Sequence, residues 1–334
     1  MIYNDCMFDL ITIGDTVIDT YLPIDDAEIL EKDGKKYLGL KWGYKIPVAD
    51  GLSVVAGNAA NNAIGASRLK LKTAIYTNVG NKDDEQNDDR IKAKLKKEGV
   101  DIRYIAETDD LPSNHNIVLT YKGERTILVH HQPFKFQLPD LDKTKWVYLT
   151  SMAPNYIDTS IINQLINYLE RIGAKLAYQP GTFQVKLGAK KQVQILSKVE
   201  FFIVNVEEAI HFLGYEGKTP APIKELLLKI SELGPRKVVI TDGGKGSFGF
   251  DGEKYFQMET FPAKLVEMTG AGDAYATGTM AALLYGHPLN EAMRWGAANS
   301  ASVVEQIGST PGLLSLNKME EKLKEHKKII AKEI

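Results

Sequence analysis

The stretch VEMTGAGDAYATG, Val266 to Gly278, opens a helix in an unusual way. The residues after it are rich in Ala, Leu and Met with few breakers, so a helix is predicted from residue 271. The first turn of any helix leaves backbone N–H groups without intrahelical partners, and the macrodipole adds partial positive charge at the same place. Small residues at Gly270, Ala271 and Gly272 let an anion approach that backbone closely. Asp273 is out of place in an anion site unless it acts on the reaction and not on the anion. The stretch therefore reads as a base placed beside a phosphate. An acidic helix start behind turn glycines is the simpler reading of the same residues, and the rest of the chain decides between the two.

Upstream, apolar strands alternate with helices. WVYLT (146–150), a helix over 155–171, AKLAYQ, FFIVN (201–205), helices near 206–213 and 221–233, and KVVIT (237–241) follow in turn. Such alternation argues for an α/β fold with a mainly parallel sheet covered on both faces. A hairpin, SFGF and EKYFQM within 247–258, precedes the quoted stretch, and helices over 271–286 and 289–305 come after. Nearer the N-terminus, FDLITIG (8–14) and TAIYTNVG (73–80) read as strands and NAANNAIGASRLK (58–70) as a helix. Residues 20–55 break into short β pieces, and NIVLTYKGERTILVHH (116–131) is a hairpin around Lys-Gly-Glu. The expected organisation is an α/β core from 1–15, 56–114 and 132–334, with a β excursion from 16–55 and 115–131. Between 83 and 97, Asp83, Asp84, Glu85, Asp88 and Asp89 precede Arg90, Lys92, Lys94, Lys96 and Lys97, an order that suits a solvated helix and its dipole.

The 334 residues suffice for a large α/β core, and 44% hydrophobic with 25% charged residues is ordinary for a soluble globular chain. A formal net charge of −2 gives no reason to expect a nucleic-acid partner. The single cysteine, Cys6, excludes an internal disulfide and fits a reducing cytosol. The first residues, MIYNDCMFDL, carry acids where a signal peptide has bases, and no apolar run nears the roughly 20 residues that cross a bilayer. A cytoplasmic protein with no membrane partner is expected.

GGKGSFG (243–249) contains a G-x-G-x-x-G match, but a dinucleotide fingerprint must open a helix, and strands follow here. No G-x-x-x-x-G-K-[ST] is present. His130-His131 has no Cys or acid at metal-ligand spacing and reads as a pair of lid or solvent histidines. AGNAANNA (56–63) brings small residues and paired Asn side chains to a helix start, suited to substrate hydroxyls, although Asn58 also suits a simple cap. NVEEA (205–209) puts Asn205 and Glu208 at a strand end, where ligands collect in open α/β sheets; Mg²⁺ waters and phosphate, or capping alone, account for the pair. Thr241, Gly243 and Gly246 follow another strand end and suit nucleotide phosphates.

The order of these motifs resembles the ribokinase-like (PfkB) family of small-molecule kinases over nearly the whole chain. AGNAANNAIGASRLKLKTA is similar to its N-terminal signature, and EMTGAGDAYATG to its C-terminal D-T-x-G-A-G-D signature. The resemblance implies a three-layer α/β/α core with a small β lid. It implies Asp273 as catalytic base and the amides of Gly270, Ala271 and Gly272 as the anion hole. Asp15, Asp19, Gly57, Asn58 and Asn61 fall at substrate-binding positions. Asn205, Thr241, Gly243, Gly246 and Asn299 fall at ATP-binding ones, and Glu208 at the Mg²⁺ position. Glu267-Met268 replaces the usual Asp-Thr, whose Asp helps hold a monovalent cation, so a K⁺ site involving Glu267 is in question. Tyr178-Gln179-Pro180-Gly181 lacks the family's Asp-x-Asn.

The implied activity is transfer of the ATP γ-phosphate to a primary hydroxyl of a sugar. A nucleoside acceptor is the alternative within the family, and a non-catalytic sugar or nucleotide sensor the alternative outside it. Tyr37, Trp42 and Tyr44 suit stacking on a base, or the lid core, or a dimer interface. By analogy with the family, a homodimer through the lid is expected.

Overall fold

The computed structural model describes residues 7–48, 50–82, 85–215 and 222–334, with the backbone alone at 85–89. Cys6 and the Asp83–Asp84 pair lie outside the described residues, as do the side chains of Glu85, Asp88 and Asp89.

The chain starts with β1 (Phe8–Ile13), then β2 (Val17–Pro23), the hairpin β3 (Glu28–Lys32) and β4 (Lys35–Gly39), and β5 (Leu52–Ala56). Helix α1 (Asn58–Arg68), β6 (Thr73–Gly80), α2 (Glu85–Lys97) and β7 (Asp101–Thr108) follow, then β8 (His115–Tyr121) and β9 (Glu124–Leu128). Next come β10 (Thr144–Leu149), α3 (Ile161–Ile172), β11 (Lys175–Tyr178), α4 (Thr182–Leu187) and α5 (Val193–Leu196). Then β12 (Val199–Asn205), α6 (Val206–Leu213), α7 (Ile223–Glu232), β13 (Lys237–Thr241), β14 (Ser247–Phe250) and β15 (Tyr255–Met258) lead into α8 (Ala271–Leu284). Helices α9 (Leu289–Val303) and α10 (Leu316–Glu325) and the short β16 (Lys332–Glu333) close the fold.

The large sheet runs in the order β16-β15-β14-β13-β12-β11-β10-β1-β6-β7. It is parallel from β7 to β13 and antiparallel beyond. Its strands are apolar on both faces, as a sheet with helices on each side requires. In β12, Phe201 and Ile203 join one core with Tyr275, Met280 and Trp295 from α8 and α9. Phe202 and Val204 point into the other, with Leu165 of α3, Phe212 of α6 and Leu227 of α7. All four β12 side chains are almost fully buried, each contributing about 1.5–3 kcal/mol of transfer free energy. The two-sided covering expected from strand–helix alternation is therefore what forms. Strand β7 and the C-terminal pair α10–β16 are additions to that expectation.

A second sheet, β5-β2-β8-β9, has β2 and β8 parallel and the flanking pairs antiparallel. The hairpin β3–β4 forms its own two-stranded sheet. Trp42 and Tyr44 just beyond it are 97% and 73% exposed, and Tyr37 is half exposed. None of these three lines the cavities described below.

Candidate active site

Helix α8 begins where the sheet's parallel strands end, and its start is set by backbone geometry. Gly270, the residue before the helix, has φ 81°, and a Cβ there would come within 2.6 Å of Ser309. Only glycine meets both conditions. Ala271 N–H makes a long 3.3 Å bond back to Met268 O. The amides of Gly272 and Asp273 belong to the turn that helix geometry leaves without intrahelical acceptors. A matching constraint fixes the opposite wall: Gly57, before α1, has φ 100°, and a Cβ there would sit 2.6 Å from Asp15 O.

Asp273 is 8% exposed, and three side-chain amides converge on it. Asn58 Nδ2 donates to Oδ1 at 3.0 Å, Gln179 Nε2 to Oδ1 at 3.1 Å, and Asn61 Nδ2 to Oδ2 at 2.8 Å. Burial pushes the carboxyl above its ordinary value, and the hydrogen bonds from Asn61, Gln179 and Asn58 oppose that rise. Asn58 makes no cap hydrogen bond to α1, so its side chain serves Asp273 and not the helix end. Asn61 Oδ1 accepts from Ser309 Oγ at 2.8 Å, which orients its amide toward Asp273.

A cavity of about 210 Å³ opens beside this carboxylate, and Asp15, Asp19, Gly57, Asn58, Asn61, Gly270 and Asp273 all line it. Every residue expected to bind substrate is thus brought together. Asp15 is buried and pairs with His131 Nδ1 at 2.8 Å; burial raises its carboxyl, and His131 pulls it back. Asp19 accepts from Asn116 Nδ2 at 3.0 Å and is pushed up to about 6, chiefly by burial. His131, read with His130 as a lid or solvent histidine, belongs to the 115–131 segment and is not a solvent residue: its ring is set edge-on against Phe183 and lines the cavity. Among the described residues no cluster of His, Cys, Asp and Glu is built to hold a metal.

A larger groove of about 780 Å³ lies on the other side of the α8 start. Ala271 and Gly272 line it together with Asn205, Thr241, Gly243 and Gly246. After β13 the chain turns tightly, with Asp242 N–H donating to Gly246 O at 2.8 Å, and continues as strand β14. The G-x-G-x-x-G match therefore leads into a strand, as its context predicts. The start of α8 is the partition between the two spaces, and Arg125 of β9 lines both.

Four expected site residues behave differently. Asn299 is fully buried away from the groove: its Nδ2 donates to Ala274 O at 2.8 Å, and its Oδ1 accepts from Leu314 N–H at 3.0 Å. With both ends of the amide spent on tying α9 to α8 and to the segment before α10, it has nothing to offer adenine. Glu267 accepts from the Thr269 hydroxyl and, at 2.7 Å, from Gly308 N–H. Each of its two oxygens thus already accepts one donor from its own chain. Asn205 and Glu208 form a capping box at the start of α6, each side chain bonded to the other's backbone N–H. The capping interpretation of the pair is thus realised, while Asn205 also borders the groove and burial raises the Glu208 carboxyl.

Gln179, Asn116, His131, Arg125 and Ser309 are the site residues that sequence reasoning missed. The missing Asp-x-Asn at 178–181 marked Gln179 as unusual; the others carry no local pattern.

The sequence pattern of the pfkB family carbohydrate kinases matches residues 42–315. An ATP-dependent 6-phosphofructokinase of Thermoanaerobacterium thermosaccharolyticum is 23% identical over 321 residues, 92% of each chain. The solved structure of Arabidopsis thaliana ribokinase complexed with ribose and ATP has a TM-score of 0.77 at 22% identity, covering 95% of this chain and 99% of that one. Methanocaldococcus jannaschii nucleoside kinase, described as an archaeal member of the ribokinase family, has a TM-score of 0.74 at 20% identity, with coverages of 95% and 99%. The chain therefore has the ribokinase-like fold and belongs to the pfkB family of carbohydrate kinases, phosphotransferases with an alcohol group as acceptor.

Proposed function

We propose that this chain transfers the γ-phosphate of ATP to a primary hydroxyl of a small neutral sugar held in the 210 Å³ cavity. The observation that carries the reading is the partition: Gly270 and Asp273 face the small cavity while Ala271 and Gly272 face the groove. A hydroxyl in the first space and a triphosphate in the second meet at one helix N-terminus.

Asp19, Asp15 and Asn58 grip the sugar hydroxyls, the carboxylates accepting and the amide doing either. Asp273 takes the proton of the attacking hydroxyl, and the Gly272 and Asp273 amides stabilise charge gathering on the transferred group. Thr241, Gly243, Gly246 and Asn205 cradle the remaining phosphates. Glu208 fits an outer partner of Mg²⁺: one oxygen is anchored by Asn205 N–H, and an ion that keeps most of its waters needs only one or two carboxylates besides phosphate. When bound, Mg²⁺ supplies charge neutralisation on the phosphates. Glu267 does not fit a K⁺ ligand, and no step runs through one. The lid formed by 16–55 and 115–131 closes over the cavity and excludes water. Trp42, Tyr44 and Tyr37, exposed on and beside the β3–β4 hairpin, support pairing of lids in a homodimer. Among the described residues no helix is long and apolar enough to cross a membrane, and we place the enzyme in the cytoplasm, where ATP is made available.

A nucleoside acceptor is favoured by one feature, a neighbouring space of about 390 Å³ bounded by Tyr21, Arg125 and Glu267 that could receive a base. ADP release with ATP, Mg²⁺ and a panel of sugars and nucleosides tests the proposal. Release no faster than with water alone, for every acceptor, would overturn it.

A further inference from the structure

We propose that Gln179, held between Tyr148 and Asp273, is a positioning residue for the Asp273 carboxylate. The inference rests on the reading of Asp273 as the base and concerns what keeps that base ready.

Gln179 follows β11 directly, and its backbone is fixed by a 3.0 Å bond from its N–H to Leu149 O of β10. Its side chain spans two partners. The hydroxyl of Tyr148, a residue of β10 with no exposed surface, donates to Gln179 Oε1, and Gln179 Nε2 donates to Asp273 Oδ1 at 3.1 Å. An amide can turn over and exchange its oxygen for its nitrogen. Here one orientation gives two hydrogen bonds. The other sets a carbonyl oxygen against a carboxylate that only accepts. The acceptor-only Asp273 carboxylate selects this orientation, and the Tyr148 hydroxyl, donating to Oε1, anchors the side chain in it. A Cβ built on Gly272 would lie 3.9 Å from Gln179 Nε2, so the same nitrogen stands beside the anion-binding glycine.

A fixed donor matters because of what else faces Asp273. The carboxylates of Asp19 from β2 and Glu208 from α6 both interact unfavourably with it, and Tyr148 faces it from β10. Asp15, paired with His131, and Arg125 of β9 line the same cavity. The groups in contact with Asp273 are the neutral amides of Asn58, Asn61 and Gln179. Each amide withdrawn lets the carboxyl hold its proton to higher pH, where it cannot accept the substrate's.

The test is the pH dependence of kcat at saturating sugar and ATP, where Asp19 is occupied by substrate and its own titration is suppressed. Gln179→Met should move the acidic limb to higher pH by about one unit, the value of one hydrogen bond to a charged group. Most of the lost rate should return on the alkaline plateau. Tyr148→Phe, which removes the bond anchoring Gln179 Oε1, should move the limb the same way by less. Gln179→Glu should move it further, because it adds a third carboxylate. A Gln179→Met enzyme that loses rate equally at all pH values, with an unmoved limb, overturns the inference. If Gln179→Met fails to fold, Tyr148→Phe decides on the same criterion. Asp273→Asn separates the two levels. Retained activity there sinks the base reading itself. An inactive Asp273→Asn beside an unmoved Gln179→Met limb sinks only the role of Gln179.

Discussion

Asn61 Nδ2 donates to Asp273 Oδ2 at 2.8 Å, a contact between residues 212 positions apart that joins α1 to α8 across the site. The resemblance gives Asn61 a role on substrate hydroxyls, yet its donor is spent on the carboxylate and its acceptor on Ser309. Holding the base is therefore its role before substrate arrives. Asp273 is restrained from both ends of the core, and its chemistry should be separable from nucleotide binding. Asp273→Asn should lose about 10²–10⁴-fold in kcat, the range for a general base, while ATP affinity is unchanged because the groove residues are intact. Single-turnover rates and ATP titration measure the two quantities, and a kcat near wild type removes the base assignment.

Asp19 supplies a pH prediction. Its carboxyl is raised from 3.8 to about 6, mainly by burial, so between those pH values the folded state holds a proton that the unfolded state releases. Stability therefore falls as pH rises through that window, by about 3 kcal/mol at most once above pH 6. Asp19→Asn, which carries no charge to bury, should raise Tm at pH 8 and leave it nearly unchanged at pH 4. The same ionisation is what makes Asp19 an acceptor for hydroxyls. KM for the sugar should fall as pH rises through 6 in the wild type and stay flat in the variant. A variant with the wild-type KM profile would place the titrating group elsewhere.

Glu208 gives a third prediction. Glu208→Gln keeps the shape of the capping box but removes the charge that an outer-sphere Mg²⁺ partner supplies. The Mg²⁺ concentration for half-maximal rate should rise while Tm changes little. An unchanged Mg²⁺ titration would leave the residue with its capping role alone.

The parallel sheet was legible because strands such as FFIVN and KVVIT carry consecutive apolar residues, Phe201–Val204 and Val238–Ile240, and are separated by helix-length segments. The acid behind small residues at Gly270–Asp273 was visible too, although the stretch alone suited a turn and helix start equally well and only the other motifs favoured a site. What local pattern cannot carry is where an amide or carboxylate finds its partner. Asn299 and Asn58 look alike in sequence, each a polar residue in or at the start of an Ala-rich helix. One ties α9 to its neighbours and the other reaches the base, and the difference depends on helix packing 215 residues away. His131 and Arg125 sit in or beside the β8–β9 hairpin with no motif, and only the tertiary fold gives them a cavity to line.

Glu267 supplies a prediction about a monovalent cation. Both of its oxygens serve its own chain, one of them holding Gly308 N–H in a nearly buried position. Exchanging K⁺ for a large organic cation at constant ionic strength should leave kcat unchanged. Glu267→Gln should instead lower stability by about 1–3 kcal/mol, because a buried N–H loses its charged acceptor. Activation by K⁺ that disappears in Glu267→Gln would restore the cation site.

The last prediction concerns the acceptor, compared as kcat/KM for ribose, fructose 6-phosphate, adenosine and cytidine. The cavity beside Asp273 is about 210 Å³, enough for one sugar ring with its waters removed, and its walls carry Asp15, Asp19 and Asp273. Three carboxylates favour a neutral polyol and oppose a phosphate dianion, with Arg125 the one arginine set against them. A nucleoside must send its base out of this cavity, toward the space beside Tyr21. The aromatics first considered for stacking, Tyr37, Trp42 and Tyr44, are turned outward and do not reach either place. Ribose should therefore rank first. If fructose 6-phosphate ranked first and lost its advantage in Arg125→Ala, the arginine would be binding the substrate's own phosphate and the charge argument would fail. A preference for nucleosides of about 100-fold, near 2.7 kcal/mol, would mean that the second space belongs to the substrate and would reverse the ranking.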